Sequence, residues 1–354
     1  MVVLEMTSGT PYQCLLEKGV FALVSFISHE EQIKRIQEKN ITVKNIDFAK
    51  MVLSNVSYSS FMNGYKEIYQ TNEDGKFSYP IDFETIYTVY TVDCSLHSMF
   101  LKHIIHIERS LKNKIAHLVA EKHGVNTDQG NKVSRDEQDY LCLSHYSNSN
   151  NKRDNIIRRL KYEIWDSRSA ALRQCIEQNE SIPPWLLASE ISFGDTIQWY
   201  SILKDDDKSK ICNSFIGPNI DTQTETKKEF CIKAFDLLRE YRNAFAHGQR
   251  TYAREIKIEL PAKPLLSLAP PKTISKEDYK QGKGKNDIVA VLLALIILTN
   301  DPYQLVSIAK DISYVFGPYS HLKVGDRSLY SVFNFPENGT EWLNIAIDGR
   351  LGTI

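Results

Sequence analysis

Cysteine is scarce and scattered in this chain of 354 residues: Cys14, Cys94, Cys142, Cys175, Cys212 and Cys231, with no C-x2-C pair. That pattern excludes a zinc-ribbon type of metal site and fits reduced thiols better than a disulfide framework. An excess of charge of either sign is also missing, since 43 Lys+Arg oppose 44 Asp+Glu for a net charge of −1. No bulk field therefore attracts nucleic acid or an anionic membrane, and any such site has to be local. Long hydrophobic runs are absent. The longest, Ile288 to Leu298, falls short of the about 20 residues a bilayer requires. The N-terminus has no basic region ahead of an apolar core, and Glu5 interrupts the one candidate stretch, so no signal peptide and no membrane association are expected. Internal repeats are missing as well. What remains is ordinary for a folded protein: 42% apolar and 25% charged residues exclude disorder as the main state. The length suits two domains, or one with large insertions. The expected location is cytoplasmic.

The pattern along the chain is mostly helical. Val20–Ile27 reads as a strand or a buried helix start, and His29–Lys39 as charge-rich with good helix formers. Asn55–Tyr69 is aromatic-rich, with a turn or helix break expected at Asn63-Gly64, and Asn72–Lys76 reads as a polar loop. From about residue 83 the period turns helical. Leu96, Phe100, Ile104, Ile107, Leu111, Ile115 and Leu118 form one apolar stripe that Gly124 ends. Arg153–Gln178 is expected to be helical, and Pro183-Pro184 to open a helix through to Lys204. Thr224–His247 carries its stripe on Ala234, Leu238, Tyr241 and Phe245, with Gly248 as the stop. Four prolines in 255–286 predict a long irregular connection, either a lid or a mobile loop. Asp287–Thr299 and Pro302–Phe316 read as helices, followed by a loop-rich tail.

One cluster carries recognisable chemistry: Arg242-Asn243-Ala244-Phe245-Ala246-His247, at the end of the best-defined helix. An imidazole titrates near neutral pH, so it can take a proton from a ribose 2′-hydroxyl or give one to the leaving oxygen. A guanidinium keeps its charge and holds a phosphate through two parallel bonds while charge builds in the transition state. No metal is needed when the internal 2′-hydroxyl attacks. Positions five apart on a helix differ by about 140°, so Arg242 and His247 do not share a face, whereas Asn243 and His247 do. The plain alternative is a surface arginine and a capping histidine.

With the segments around it, this cluster resembles a known family. RNAFAHG looks like the R-x4-6-H signature of HEPN ribonucleases. VLSNVSYSSFMNGYK (52–66), IDFETIYTVYTVDCSL (81–96), IERSLKNKIAH (107–117) and IPPWLLASEISFGDTIQWYSIL (182–203) resemble, in order, segments of abortive-infection proteins of the AbiD/AbiF type. The likeness spans about 50 to 250, is loose after about 260, and does not reach residues 1 to 20. It implies an N-terminal Abi-like region (1–80), a HEPN helical core (81–254) and a loop with a C-terminal helical extension (255–354). It further implies a metal-independent endoribonuclease in phage defence, with Arg242 and His247 catalytic, Asn243 supporting them, and no cofactor. The products would carry 2′,3′-cyclic phosphate and 5′-hydroxyl ends. Two such motifs usually meet in a homodimer. The other readings are a non-catalytic module that holds a structured small RNA or partner, and the toxin of a toxin–antitoxin pair. An antitoxin or a phage product would be the regulating partner.

In the 107–117 segment, Glu108 and Lys112 flank the apolar stripe one turn apart, while Asn113 and His117 lie on the polar face with His106. Glu108, Arg109 and Lys112 can support the RNAFAH helix or form an ordinary solvated face. Lys112 to His117 copies the R-x4-H spacing, but a lysine lacks the guanidinium fork. His103 and His106 have helical metal-binding spacing without a convincing third ligand. Gly282-Lys283-Gly284-Lys285 lacks the rest of a P-loop and reads as a flexible basic loop or an RNA-contacting lid. Arg153, Arg158, Arg159 and Lys161 form a solvated basic cluster, of which Arg158 and Arg159 are the candidate RNA contacts. Asp205–Asp207 reads as a charged loop, and Trp185, Trp199 and Tyr200 as core.

Overall fold

Apolar residues recurring every three or four positions produce a protein of helices, sixteen α-helices among the described residues. The computed structural model describes residues 26–65, 68–69, 76–127, 133–148, 151–167, 169–178, 180–217, 220, 222–251 and 256–352. The expected mostly-α class is what the structure shows. Most of Val20–Ile27 and residues 72–75 of the expected polar loop lie outside the described residues.

The chain divides into two compact units, 1–91 with 324–326, and 92–323 with 327–354. In the smaller one, α1 (His29–Glu38), α2 (Ile46–Asn55) and α3 (Tyr58–Tyr65) accompany a short parallel ladder of β1 (Ile41–Thr42) and β2 (Ile81–Asp82). Ser28 and Asn45 cap α1 and α2 by accepting from the backbone N–H three residues on. The break expected at Asn63-Gly64 is not there, because α3 runs through both residues. Its Phe61 packs at 5.0 Å from Phe83 and 6.3 Å from Tyr90, and that aromatic cluster outweighs one helical glycine. Helix α4 (Phe83–His123) has its first nine residues in this unit and the rest in the larger one.

In the larger unit α4 buries the whole predicted stripe from Leu96 to Leu118 and stops at Gly124, whose φ of +78° is open to glycine at no steric cost. There follow α5 (Arg153–Trp165), α6 (Ala170–Glu177), α7 (Pro184–Glu190), α8 (Phe193–Ile202), α9 (Asp205–Ile216) and α10 (Thr224–Ala246). Two stretches expected as single helices are thus each divided. The 153–178 stretch breaks between Trp165 and Ala170, and the helix opened by Pro184 ends at Glu190, because Ser192 caps a new one. The loop expected at Asp205–Asp207 is instead the first turn of α9, where carboxylates meet the positive end of the helix dipole. Asp207 is buried against Lys122, and Asp205 accepts from Lys228 at 2.6 Å.

The proline-rich stretch is not structureless over its described part, 256–286. It holds α11 (Ala262–Leu268), led by Pro261, and α12 (Lys276–Lys280), led by a Ser275–Asp278 capping box. The Gly282–Lys285 turn is pinned by Leu260 N–H donating to Lys285 O at 2.8 Å and by Gly284 N–H donating to Asp287 at 3.0 Å. Next come α13 (Ile288–Leu298), α14 (Pro302–Phe316), α15 (Leu329–Val332) and α16 (Gly339–Leu351). The tail is therefore helical where loop was expected, for its apolar residues bury against α13 and α14. The long apolar run is α13, buried on every side, and α10 packs on it as well as on α8, α9 and α11. No helix among the described residues is long and apolar enough to cross a membrane.

At the end of α4, His123 stacks on His145 with rings 3.9 Å apart and 9° between planes. Burial, then the neighbouring His145, pulls its pKa from 6.5 down to about 4. The unfolded chain therefore binds a proton that the folded chain refuses, and stability is full above pH 6.5 and falls as the pH drops toward 4. Because the ring is partly exposed, solvent screening reduces the loss to about 1 kcal/mol. Urea midpoints should fall between pH 7 and pH 5, and His123→Gln should flatten that slope. An unchanged slope would remove His123 as its source.

Candidate functional site

Helix α10 ends where the sequence places its chemistry. His247 is the C-cap residue, its N–H donating to Asn243 O at 3.1 Å and Ala244 O at 3.2 Å, and Gly248 turns the chain away at φ +66°. Phe245 anchors this end, stacked on His97 at 5.1 Å and on Phe100 at 5.4 Å. Just beyond, Thr251 N–H donates to buried Asp93 at 3.1 Å, fixing the exit of the chain to α4.

Arg242, 40% exposed, lies 3.7 Å from the buried carboxylate of Glu108 on α4. Glu108 also pairs with Lys112 at 3.3 Å, and Lys112 donates to Ile191 O at 2.6 Å, tying the α7–α8 turn to the same place. Glu108 and Lys112 thus sit in the structure between α4, α10 and the α8 start. The ammonium of Lys112 is spent on protein groups, which removes it as a phosphate-binding partner for His117. Arg109, Asn113 and His117 are exposed on α4.

A cavity of about 590 Å³ opens beside Arg242, walled by α5, α8 and α10. Lys152, Arg159, Arg239 and Arg242 line it with one carboxylate, Asp195, in the wall, while Arg239 also pairs with Glu240 at 2.9 Å and Arg242 lies by Glu108, so the hollow is rich in cations whose charge is partly offset. Asn243 lines it too, whereas His247 does not. Arg239, Arg242 and Asn243 share one helical face, three and four residues apart. Across the hollow, Arg159 Nε meets Asp195 Oδ1 at 2.6 Å, and Asp195 is buried and accepts from Ser192 Oγ at 2.5 Å. A buried carboxylate thus aims an exposed guanidinium. Arg158 stays exposed next to the hollow and donates to Asn155 Oδ1 at 3.0 Å.

Arg239 and Lys152 were not singled out from the sequence. The R-x2-R spacing of Arg239 and Arg242, one turn of helix, was the signal that could have found the first. Lys161 is not solvated: it is fully buried and paired with Asp139 at 2.5 Å. Trp185 is 56% exposed and not core, unlike Trp199 and Tyr200. His103 is buried and bonded to Asp311 at 2.7 Å. Among the described residues no three His, Cys, Asp or Glu side chains are grouped to hold a metal.

The architecture is mostly helical, with Arg242 and Asn243 in the wall of a cation-rich hollow and His247 at the same helix end outside that wall. The model of the Abi-like protein family matches residues 51–253, more than half of the chain, and the protein belongs to that family. That membership suggests abortive-infection phage defence. No curated protein and no solved structure matches the chain.

Proposed function

We propose that this Abi-like chain is a metal-independent endoribonuclease of the HEPN type acting in abortive infection. The observation that carries the reading is Arg242, 3.7 Å from Glu108 and flanked by Asn243, at the wall of a cation-rich hollow and five residues before exposed His247. Arg242 binds the scissile phosphate and stabilises the charge of its transition state. His247 moves the proton of the attacking 2′-hydroxyl or of the leaving oxygen. Asn243, four residues before His247 on the same helical face, orients it or the phosphate. The exposure of His247 at a helix end leaves room for a second copy of the helix, so the active form is a homodimer with two RNAFAH motifs facing each other. The substrate is RNA, and the site is in the cytoplasm.

A second reading rests on the fact that His247 is not in the wall of the hollow. A module that holds a structured small RNA without cutting it needs the arginines alone, and a toxin kept silent by an antitoxin differs from the nuclease in regulation only. Incubation of the purified chain with RNA in excess EDTA separates them. Cyclic-phosphate ends from a dimer support the nuclease. Intact RNA that stays bound supports the module, and cleavage abolished by EDTA defeats the mechanism.

A further inference from the structure

The hollow is larger than a phosphate needs, and its size falls in the range of small-molecule sites. Its lining is of three kinds. Lys152, Arg159, Arg239 and Arg242 supply the cations. Ile156, Leu160 and Phe193 supply an apolar wall against which a flat ring can rest. The side-chain amides of Asn155, Gln198 and Asn243 offer donors and acceptors together, as the edge of a base requires.

The outer face of α5 continues this chemistry. Arg158, Tyr162 and Trp165 follow one another at four and three residues, on the flank next to Asn155 and Arg159. Tyr162 is 48% and Trp165 57% exposed, with ring centroids 6.3 Å apart. Exposed aromatic rings beside arginines offer the surface on which bases can stack.

Resting on the nuclease reading of the same site, we propose that the hollow takes one unpaired nucleotide of a single-stranded RNA, and that the strand leaves it over Arg158, Tyr162 and Trp165. Arg159, Arg239 and Arg242 hold the phosphates on either side of that nucleotide. The base lies on the apolar wall, read by the amides, and the next bases stack along α5. A paired base cannot enter, so the substrate class is unpaired RNA.

The test uses the full chain carrying His247→Ala, so that the probe is not consumed. Fluorescence anisotropy follows labelled oligoadenylate and oligouridylate, the corresponding duplex, and free nucleoside monophosphates as competitors. Single strands should bind at least about tenfold more tightly than duplex, and Trp165→Ala or Tyr162→Ala, both at exposed positions, should weaken them about tenfold. Arg159→Ala should lower the slope of log affinity against log salt by about 0.7. Equal binding of duplex, or single-strand binding unaltered by all three variants, overturns the proposal. So does full competition by a free nucleotide that binds as tightly as the strand. Cleavage by the wild type with unaffected variants sinks this track alone. Binding along the track without any cleavage by the wild type sinks the nuclease reading alone.

Discussion

On the proposed nuclease mechanism, Arg242→Ala and His247→Ala are each expected to lower the rate of RNA cleavage by about 10²–10⁴-fold with little change in the folded state. Both side chains are partly or fully exposed at the end of α10, so neither substitution opens a core cavity. The two losses should differ in kind. Without His247 the phosphate is still held, and RNA affinity stays near that of the wild type. Without Arg242 the hollow loses one of its four cations, and affinity falls together with rate. Arg242→Lys restores charge without the fork and should recover only part of the rate. Glu108→Gln acts through Arg242, which it leaves without its carboxylate partner at 3.7 Å, so Glu108 is a positioning residue. The measurement is single-turnover cleavage with analysis of the new ends, alongside circular dichroism of each variant. Wild-type rates in both alanine variants would place the chemistry elsewhere in the molecule.

Arg350→Met should cost about 3–5 kcal/mol of stability, a drop of about 4–7 °C in melting temperature. This arginine of α16 is 2% exposed and has its guanidinium at the ends of two helices. It donates to Phe215 O at 3.0 Å and Ile216 O at 2.9 Å at the end of α9, and to Thr299 O at 3.2 Å after α13. Helix C-termini leave carbonyls without intrahelical donors and carry partial negative charge, and a cation with five donors answers both needs at once. Burial pulls its pKa down from 12.5 to about 10, which still leaves it charged at neutral pH. Methionine fills much of the volume and leaves three buried carbonyls unpaired. Arg350→Lys, with one ammonium for two helix ends, should recover less than half of the loss. Arg327→Ala, at an exposed position with one bond to Ser331 O, is the control and should change the melting temperature little. Equal shifts for Arg350→Met and Arg327→Ala would mean that the buried guanidinium contributes nothing particular to stability.

Local pattern determined much of this protein. The apolar stripes of α4 and α10 and the stop signals Gly124 and Gly248 are short-range features that a helix reads within a few turns. So is the Glu108–Lys112 spacing. The family likeness and the R-x4-H cluster were legible for the same reason, since their residues are neighbours in the chain. Side-chain caps and the packing of the tail escaped that reading. Ser192 divides one expected helix because its hydroxyl and Asp195 start another, and the proline-rich segment forms α11 and α12 because Pro261 and the Ser275–Asp278 box begin them. Only the tertiary structure decided which charges meet. It set Glu108 against Arg242, buried Lys161 with Asp139, and brought Arg159 of α5 to the same hollow as Arg239 and Arg242 of α10. The physical reason is that charge pairing across a fold depends on distance in space and on the exclusion of water, and neither is a function of separation along the chain.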